Sequence, residues 1–165
     1  MAKIELRGIY PNSKAQLWAA LTTREALSEW LMHTPDFELE VGKKFRFHGK
    51  PEGGWRGYME CTVLEFREEE YLKIDWLGMP EHDLQIVEFF LSDRESGTEL
   101  RLVHSNWNSS HGAFGGFVLR KIITFGWKKM FNKQLEPVLL QGQKEGFTNI
   151  TEGLVNTWRK ESDRA

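Results

Sequence analysis

The segment Tyr71–Leu91, YLKIDWLGMPEHDLQIVEFFL, decides the fold of this chain. Its first residues place Leu72, Ile74 and Trp76 at every second position, which is the pattern of a half-buried β-strand. Gly78-Met79-Pro80 predicts a turn, and the rest of the segment predicts a second strand. The connection is short, so the two strands pair antiparallel, because a parallel pair needs a crossover of a dozen or more residues.

The same pattern extends outward from this segment in both directions. Strands are predicted at Lys3–Ile9, Lys43–His48, Trp55–Phe66, Tyr71–Leu77, His82–Leu91 and Thr98–Asn106. Between the first two strands, Ser13 and Thr23 are suitable N-caps for two short helices. The order predicts an antiparallel sheet of about six to seven strands, with two short helices after strand 1.

The last third of the chain changes to helical periodicity. Phe117–Gln134 is predicted as a helix, and Pro137 is placed to open another that extends to Glu161. The second segment carries one apolar stripe: Phe147, Ile150, Leu154 and Trp158. A sheet of this size must bury one face, and the C-terminal helical segment is the only large element left to cover it. We therefore expect an α+β fold, with residues 1–165 in a single domain.

Composition excludes several classes of protein. The 165 residues carry a formal net charge of −2, which argues against nucleic acid as the main partner. No apolar run approaches the ~20 residues of a membrane span. The N-terminus lacks the features of a signal peptide, and Cys61 is the only cysteine, so a cytoplasmic protein without disulfides is expected. Cys61 lies in an apolar strand, where a small buried side chain is expected.

No motif points to catalysis or to a cofactor. The chain has no GxSxG, Walker loop, GxGxxG or HExxH sequence. Its five histidines never occur at the helical i, i+4 spacing of a metal site. We expect no metal, no cofactor and no assigned catalytic residue.

Two titratable residues fall within apolar strand patterns. His104 follows Leu100 and Leu102 on one face, where it is either a core histidine with a hydrogen bond or a group that orients a ligand. Glu88 shares a row with Ile86 and Phe90, but the opposite row of the strand is apolar as well. The sequence therefore does not decide which row faces the core. If Val87 and its row face inward, Glu88 lies on the surface.

A polar cluster on neighbouring strands has the same ambiguity. Its members are Arg46, His48, Arg56, Tyr58 and Glu60. These side chains converge in the interior if their rows face inward. Otherwise they belong to the solvated outer face, because Phe45 and Phe47 occupy the opposite side of the strand.

The ordered set of elements and residues resembles the START-like, or SRPBCC, superfamily with its helix-grip fold. Within it the chain is most similar to the heat-shock chaperone ATPase activator family. The resemblance lies in Pro11 to Trp18, Ala20-Leu21-Thr22, Glu25-Ala26-Leu27 to Trp30-Leu31, Val41–Phe47, Leu72–Trp76, Pro80 to His82, Gly97–Leu100, Leu102–Ser105, Glu145–Phe147 and Leu154. It covers about four-fifths of the chain.

One departure from the family concerns the final helix. In family members a short connection links the strand that corresponds to Thr98–Asn106, which carries His104, to the final helix. Here about 40 residues separate His104 from Phe147. Phe117–Leu135 is then either an extra helix near a cavity mouth, which we favour, or itself the helix that grips the sheet. Gly126-Trp127 fits the second alternative.

The resemblance implies a lipophilic cavity between the sheet and the terminal helix. A filled core is the competing interpretation. The candidates to line the cavity are Trp30, Phe47, Trp55, Met59, Trp76, Phe90, His104, Trp107, Phe114 and Trp127, with Glu88 and Tyr58 as polar candidates.

Three functions remain open at this point. The leading one is a binding protein for a hydrophobic or aromatic small molecule held between sheet and helix. The second is a protein-interaction module resembling the chaperone activator, with Val87, Phe89 and Leu91 as an exposed apolar row. The third is a cyclase- or hydrolase-type enzyme that brings His104, Glu88 or Tyr58 together in one pocket.

Overall fold

The computed structural model describes residues 3–107 and 112–145, and within these the side chains of 3–107 and 117–142. The strands are β1 Ile4–Tyr10, β2 Lys44–His48, β3 Tyr58–Arg67, β4 Tyr71–Trp76, β5 Gln85–Arg94 and β6 Gly97–Ser105. The helices are α1 Lys14–Thr22, α2 Arg24–Trp30, α3 Gly112–Lys129 and α4 Leu135–Glu145, with a π-helical turn Met130–Gln134 between the last two. The predicted α+β class and element order are confirmed.

The strands form one curved antiparallel sheet in the order β1-β6-β5-β4-β3-β2. Every neighbouring pair is antiparallel, as the short connections predict. A β-bulge between Val63 and Glu65 interrupts the β3–β4 ladder. Such an extra residue bends a strand and increases its twist, which suits a sheet that curves around a helix.

The orientation of β5 settles which residues face the core. Val87 is 0% exposed and Phe89 1%, whereas Glu88 and Phe90 lie on the outer face and are only partly buried. The hypothesis of an exposed apolar row at Val87, Phe89 and Leu91 is therefore wrong. The alternation in β5 was ambiguous because both of its rows carry large apolar residues.

The helix that grips the sheet begins at Gly112, not after Pro137. Trp127, Phe131, Leu135 and Leu139 are buried and form its inner stripe. On a regular α-helix, side chains four residues apart are rotated by about 40° relative to each other around the helix axis. The π-helical turn contains one extra residue, which offsets about 100° of the accumulated rotation. The stripe therefore stays on one face through α3, the π-turn and α4.

The favoured interpretation of Phe117–Leu135 as an extra helix is thus wrong, and the alternative holds. Pro137 lies inside the continuous helix, not at the start of a new one. In a regular α-helix the proline ring would clash with the carbonyl of Lys133, four residues earlier. Lys133 lies in the wider π-helical turn, so the helix accommodates the proline there. The predicted stripe from Phe147 to Trp158 lies outside the described residues.

The N-terminal elements are fixed to the same helix. Ser13 caps α1, as the sequence predicts, and forms a capping box with Gln16, while Thr23 caps α2 by position without a side-chain hydrogen bond. Tyr10 donates its hydroxyl to the carbonyl of Phe131 at 3.1 Å. At the start of β6, Gly97 (φ +143°) lies against the backbone of Tyr10. A Cβ at this position would lie only 1.9 Å from the backbone carbonyl oxygen of Tyr10.

Candidate functional site

The space between the sheet and the helix is largely filled by aromatic rings. Trp30 is 0% exposed and meets Phe89 and Phe131 edge-on, at centroid distances of 6.3 and 6.2 Å. Trp76 lies 5.6 Å from both Phe47 and Trp127. Rings at these distances contact one another directly, so this part of the interior is a closed core.

An open cleft of about 370 Å³ begins where this aromatic core ends. It lies between the middle of α3 and the chain around β3, β4 and the turn after Trp76. Its lining is Gly53, Gly54, Trp55, Met59, Trp76, Gly78, Met79, Glu81, His82, Gln85, Leu119, Ile122 and Ile123. The volume falls in the roughly 300–1,000 Å³ range of small-molecule pockets, and the walls are mainly apolar.

Strand pairing brings the floor of the cleft together. Trp76 and Gln85 are directly opposite each other on β4 and β5, and both are buried. Met59 lies on the inward row of β3, beside Phe47 on β2. Trp55 closes one side, where its indole N–H donates to the carbonyl of Gly78 at 3.2 Å.

A buried histidine lies directly behind this floor. His104 is 0% exposed, and its Nε2 is 2.7 Å from Oε1 of Gln85. The indole N–H of Trp127 donates to its Nδ1 at 3.1 Å. Trp107 stacks on the imidazole at a centroid distance of 4.7 Å and donates its own indole N–H to the carbonyl of His104 at 2.9 Å.

Burial keeps this histidine neutral. Loss of hydration disfavours the charged imidazole and lowers the pKa of His104 to about 3. Both ring nitrogens already have partners within the protein. A neutral imidazole with both nitrogens engaged holds its neighbours in place, and it does not exchange protons near neutral pH.

The structure divides the predicted cavity residues into groups. Trp55, Met59 and Trp76 line the cleft. Trp30, Phe47 and Trp127 belong to the filled core, and His104 and Trp107 lie behind Gln85. The side chain of Phe114 lies outside the described ones.

Three predicted residues lie on the wrong side of the sheet. Phe90 and Glu88 are on the outer face of β5, where Arg101 covers the Phe90 ring at 4.2 Å and the hydroxyl of Tyr71 donates to Glu88. Tyr58 is on the outer face of β3, because Met59 and its row face inward. These residues do not reach the cleft.

The polar cluster predicted around Tyr58 exists on that outer face. The guanidinium groups of Arg46 and Arg56 lie 4.4 and 4.2 Å from the centre of its ring. Each also lies 3.6 Å from the carboxylate of Glu60. A depression of about 480 Å³ runs along this face, and its wall includes five charged side chains, among them the paired Arg46 and Glu60.

Cleft residues that the sequence did not single out come from a turn, a strand and a helix. Gln85 is a polar residue in the same row as Val87 and Phe89. Once that row is known to face inward, Gln85 can be identified as a polar group in the interior. Ile122 and Ile123 belong to α3, which the sequence placed near a cavity mouth. Met79 carries no pattern of its own because it lies in a turn.

The described residues contain no group of three or more histidine, cysteine, aspartate or glutamate side chains that could hold a metal ion. Cys61 is a buried free thiol, and burial raises its pKa. Within the described part of the chain, no helix is long and apolar enough to cross a membrane.

Comparison with known proteins gives one family and several related structures. The model of the activator of Hsp90 ATPase homolog 1-like family matches residues 12–139. Protein MLL2253 from Mesorhizobium loti is 27% identical with a TM-score of 0.69, over 85% of this chain and 97% of that one. Protein BH1534 from Bacillus halodurans is 24% identical with a TM-score of 0.68, over 84% and 97%.

A third similar structure is SA2116 from Staphylococcus aureus, described as a protein of unknown function. It is 17% identical with a TM-score of 0.69, over 87% of this chain and 96% of that one. At the identities of BH1534 and SA2116 the likeness concerns the fold alone. No curated protein matches the chain.

Proposed function

The chain belongs to the family of activator of Hsp90 ATPase homolog 1-like proteins, and we propose that within this family it binds a small apolar or aromatic molecule in the cleft beside Trp55 and Trp76. The observation that carries the proposal is the cleft itself, about 370 Å³ in volume and walled mainly by apolar side chains. A cytoplasmic location is part of the proposal, because the lone Cys61 is a free thiol.

The closed core next to the cleft supports a binding role. A ligand in the cleft would contact Trp76, which also packs against the rings of Phe47, Trp127 and His104. That side of the site is rigid before the ligand arrives, which lowers the entropic cost of binding. Met59 and Met79 supply unbranched thioether side chains that adapt to the shape of a ligand.

A glycine in the wall allows the cleft to be filled by substitution. A Cβ at Gly78 would lie 3.4 Å from the sulfur of Met59 and 3.6 Å from Nδ1 of His82, which is ordinary contact. Gly78→Leu therefore places a side chain in the cleft without a clash at its first atom. Gly126→Leu is the matched control, because nothing lies within 4 Å of a Cβ there.

The test is a fluorescence titration with N-phenyl-1-naphthylamine, a neutral apolar probe. The wild-type protein and Gly126→Leu are expected to bind it with equal affinity, and Gly78→Leu to bind it roughly tenfold more weakly, since overpacking of this kind costs about 1–3 kcal/mol. Equal binding by all three proteins, or no binding by the wild type, contradicts the proposal.

A second function is favoured by one observation on α3. Its outer side exposes Phe117, Val118, Ile122 and Phe125, with exposed fractions of 50, 40, 63 and 73%, and Ile122 lies at the border between this side and the cleft. Lys121, Lys128 and Lys129 are exposed on the same side, and α3 contains no acidic residue. This surface, the basic apolar face of α3, suits a protein partner with an acidic rim around an apolar patch.

A further inference from the structure

The polarity of the cleft floor is fixed by a residue that does not touch the cleft. The indole nitrogen of Trp127 is a donor only, and it lies 3.1 Å from Nδ1 of His104. Nδ1 must therefore be the unprotonated nitrogen of the imidazole. In a neutral imidazole the single proton is then on Nε2.

The protonated Nε2 in turn fixes the orientation of Gln85. It donates across 2.7 Å, so the atom of the carboxamide that faces it is the oxygen. The oxygen and nitrogen of a carboxamide are told apart by their hydrogen-bond partners. For Gln85 the assignment follows from Trp127, which fixes the proton of His104, which in turn requires an acceptor on Gln85. The other end of the same carboxamide is an NH2 group, which only donates.

Gln85 belongs to the lining of the cleft. The indole N–H of Trp55 is already used by Gly78, so Trp55 offers the cleft its apolar ring. No lysine or arginine is among the described residues that line the cleft, and Glu81 stands at its exposed edge. An anionic ligand would meet no compensating charge there.

We infer that the cleft selects apolar molecules carrying a neutral hydrogen-bond acceptor, such as a ketone or aldehyde oxygen, and that this acceptor bonds the carboxamide NH2 of Gln85. The inference rests on the proposed function, because it names the ligand class of the same cleft. Gln85 acts as the residue that determines specificity, and His104 and Trp127 act as positioning residues behind it.

The experiment compares two probes of the same size, 9-fluorenone and fluorene, which differ in a carbonyl in place of a methylene group. The wild-type protein is expected to bind 9-fluorenone roughly three- to tenfold more tightly than fluorene, the factor that one net hydrogen bond supplies. In ¹⁵N–¹H spectra, 9-fluorenone is expected to move a side-chain amide proton of Gln85 downfield, as a hydrogen bond does, relative to its position in the complex with fluorene.

Gln85→Glu is the informative variant. The binding assay is run at pH 8, so that the carboxyl is ionised; it then accepts from His104, the buried imidazole keeps its partner, and the ligand finds no donor. The variant is expected to lose the preference for 9-fluorenone and to keep its affinity for fluorene. An unchanged indole signal of Trp127 serves as the check that the variant is folded.

The outcomes separate the two proposals. If both probes bind the wild type equally, or if Gln85→Glu keeps the preference, the inference about Gln85 is overturned and the cleft proposal stands. If neither probe binds the wild type, the proposed function itself is overturned, and the inference falls with it.

Discussion

His104 illustrates how one buried residue organises the site without contacting a ligand. It holds Gln85 through one ring nitrogen and accepts from Trp127 through the other. The sequence left its role open, because alternation with Leu100 and Leu102 indicates only the face on which it lies. Its partners come from β5 and α3, so they became identifiable only when those elements were placed.

The depressed pKa of His104 predicts how stability changes with acid. Between about pH 6.5 and pH 3 the unfolded chain binds a proton at this residue and the folded chain does not. The free energy of unfolding therefore falls as the pH is lowered through this window, by up to about 1.4 kcal/mol per pH unit from this residue alone.

Urea unfolding at pH 7 and pH 4.5 checks this, with His104→Gln as the reference that lacks the titrating group. The reference is expected to lose less stability than the wild type between the two pH values. Imidazole ¹⁵N signals give an independent measurement in the wild-type protein. Protonation of His104 in the folded state near pH 6 would contradict the account.

At the scale of elements, the strands were predictable and the gripping helix was not. Alternation located β1, β2 and β4, because each buries one face of a pleated sheet, and turn signals delimited the other three strands. The helix Phe117–Gln134 was located correctly, but its role as the gripping helix was missed for two reasons. Pro137 is normally a start signal, and the four-residue spacing of Trp127, Phe131 and Leu135 stays on one face only with a π-helical turn, which periodicity alone does not reveal.

The basic apolar face of α3 carries a prediction of its own. If the partner of this face is a chaperone of the type that the family description names, the wild-type protein is expected to stimulate the ATPase of a purified Hsp90-type chaperone. Phe125→Ser is expected to raise the concentration needed by roughly tenfold or more, because a central exposed aromatic residue is a common hot spot.

Ile9→Ser is the matched control, since Ile9 is 59% exposed near the end of β1 and is not one of the β1 residues that lie beside Phe117 and Lys121 of α3. It is expected to leave the stimulation unchanged. The second function is rejected if the wild type neither binds nor stimulates the chaperone, or if Phe125→Ser and Ile9→Ser behave alike. The cleft proposal does not depend on this result, because Phe125 does not line the cleft.

At the scale of the whole molecule, the cleft is a property of tertiary structure. Trp55 precedes β3, Trp76 ends β4, Gln85 begins β5 and Ile122 lies on α3. The resemblance to the helix-grip fold predicted the general location of a cavity between sheet and helix. It did not predict that the centre is filled by rings such as Trp30 while an open volume remains at one end, because that depends on how side chains from separate elements meet.

The most direct test of the account is to locate bound N-phenyl-1-naphthylamine by ¹⁵N–¹H spectra of the wild-type protein. The account predicts shifts at the Trp55 indole, at Gly53 and Gly54, and at Gly78, with little change at Tyr58 on the outer face. Shifts confined to the outer face of the sheet or to the surroundings of Phe125, with the cleft signals unmoved, would contradict the claim that this cleft is the binding site.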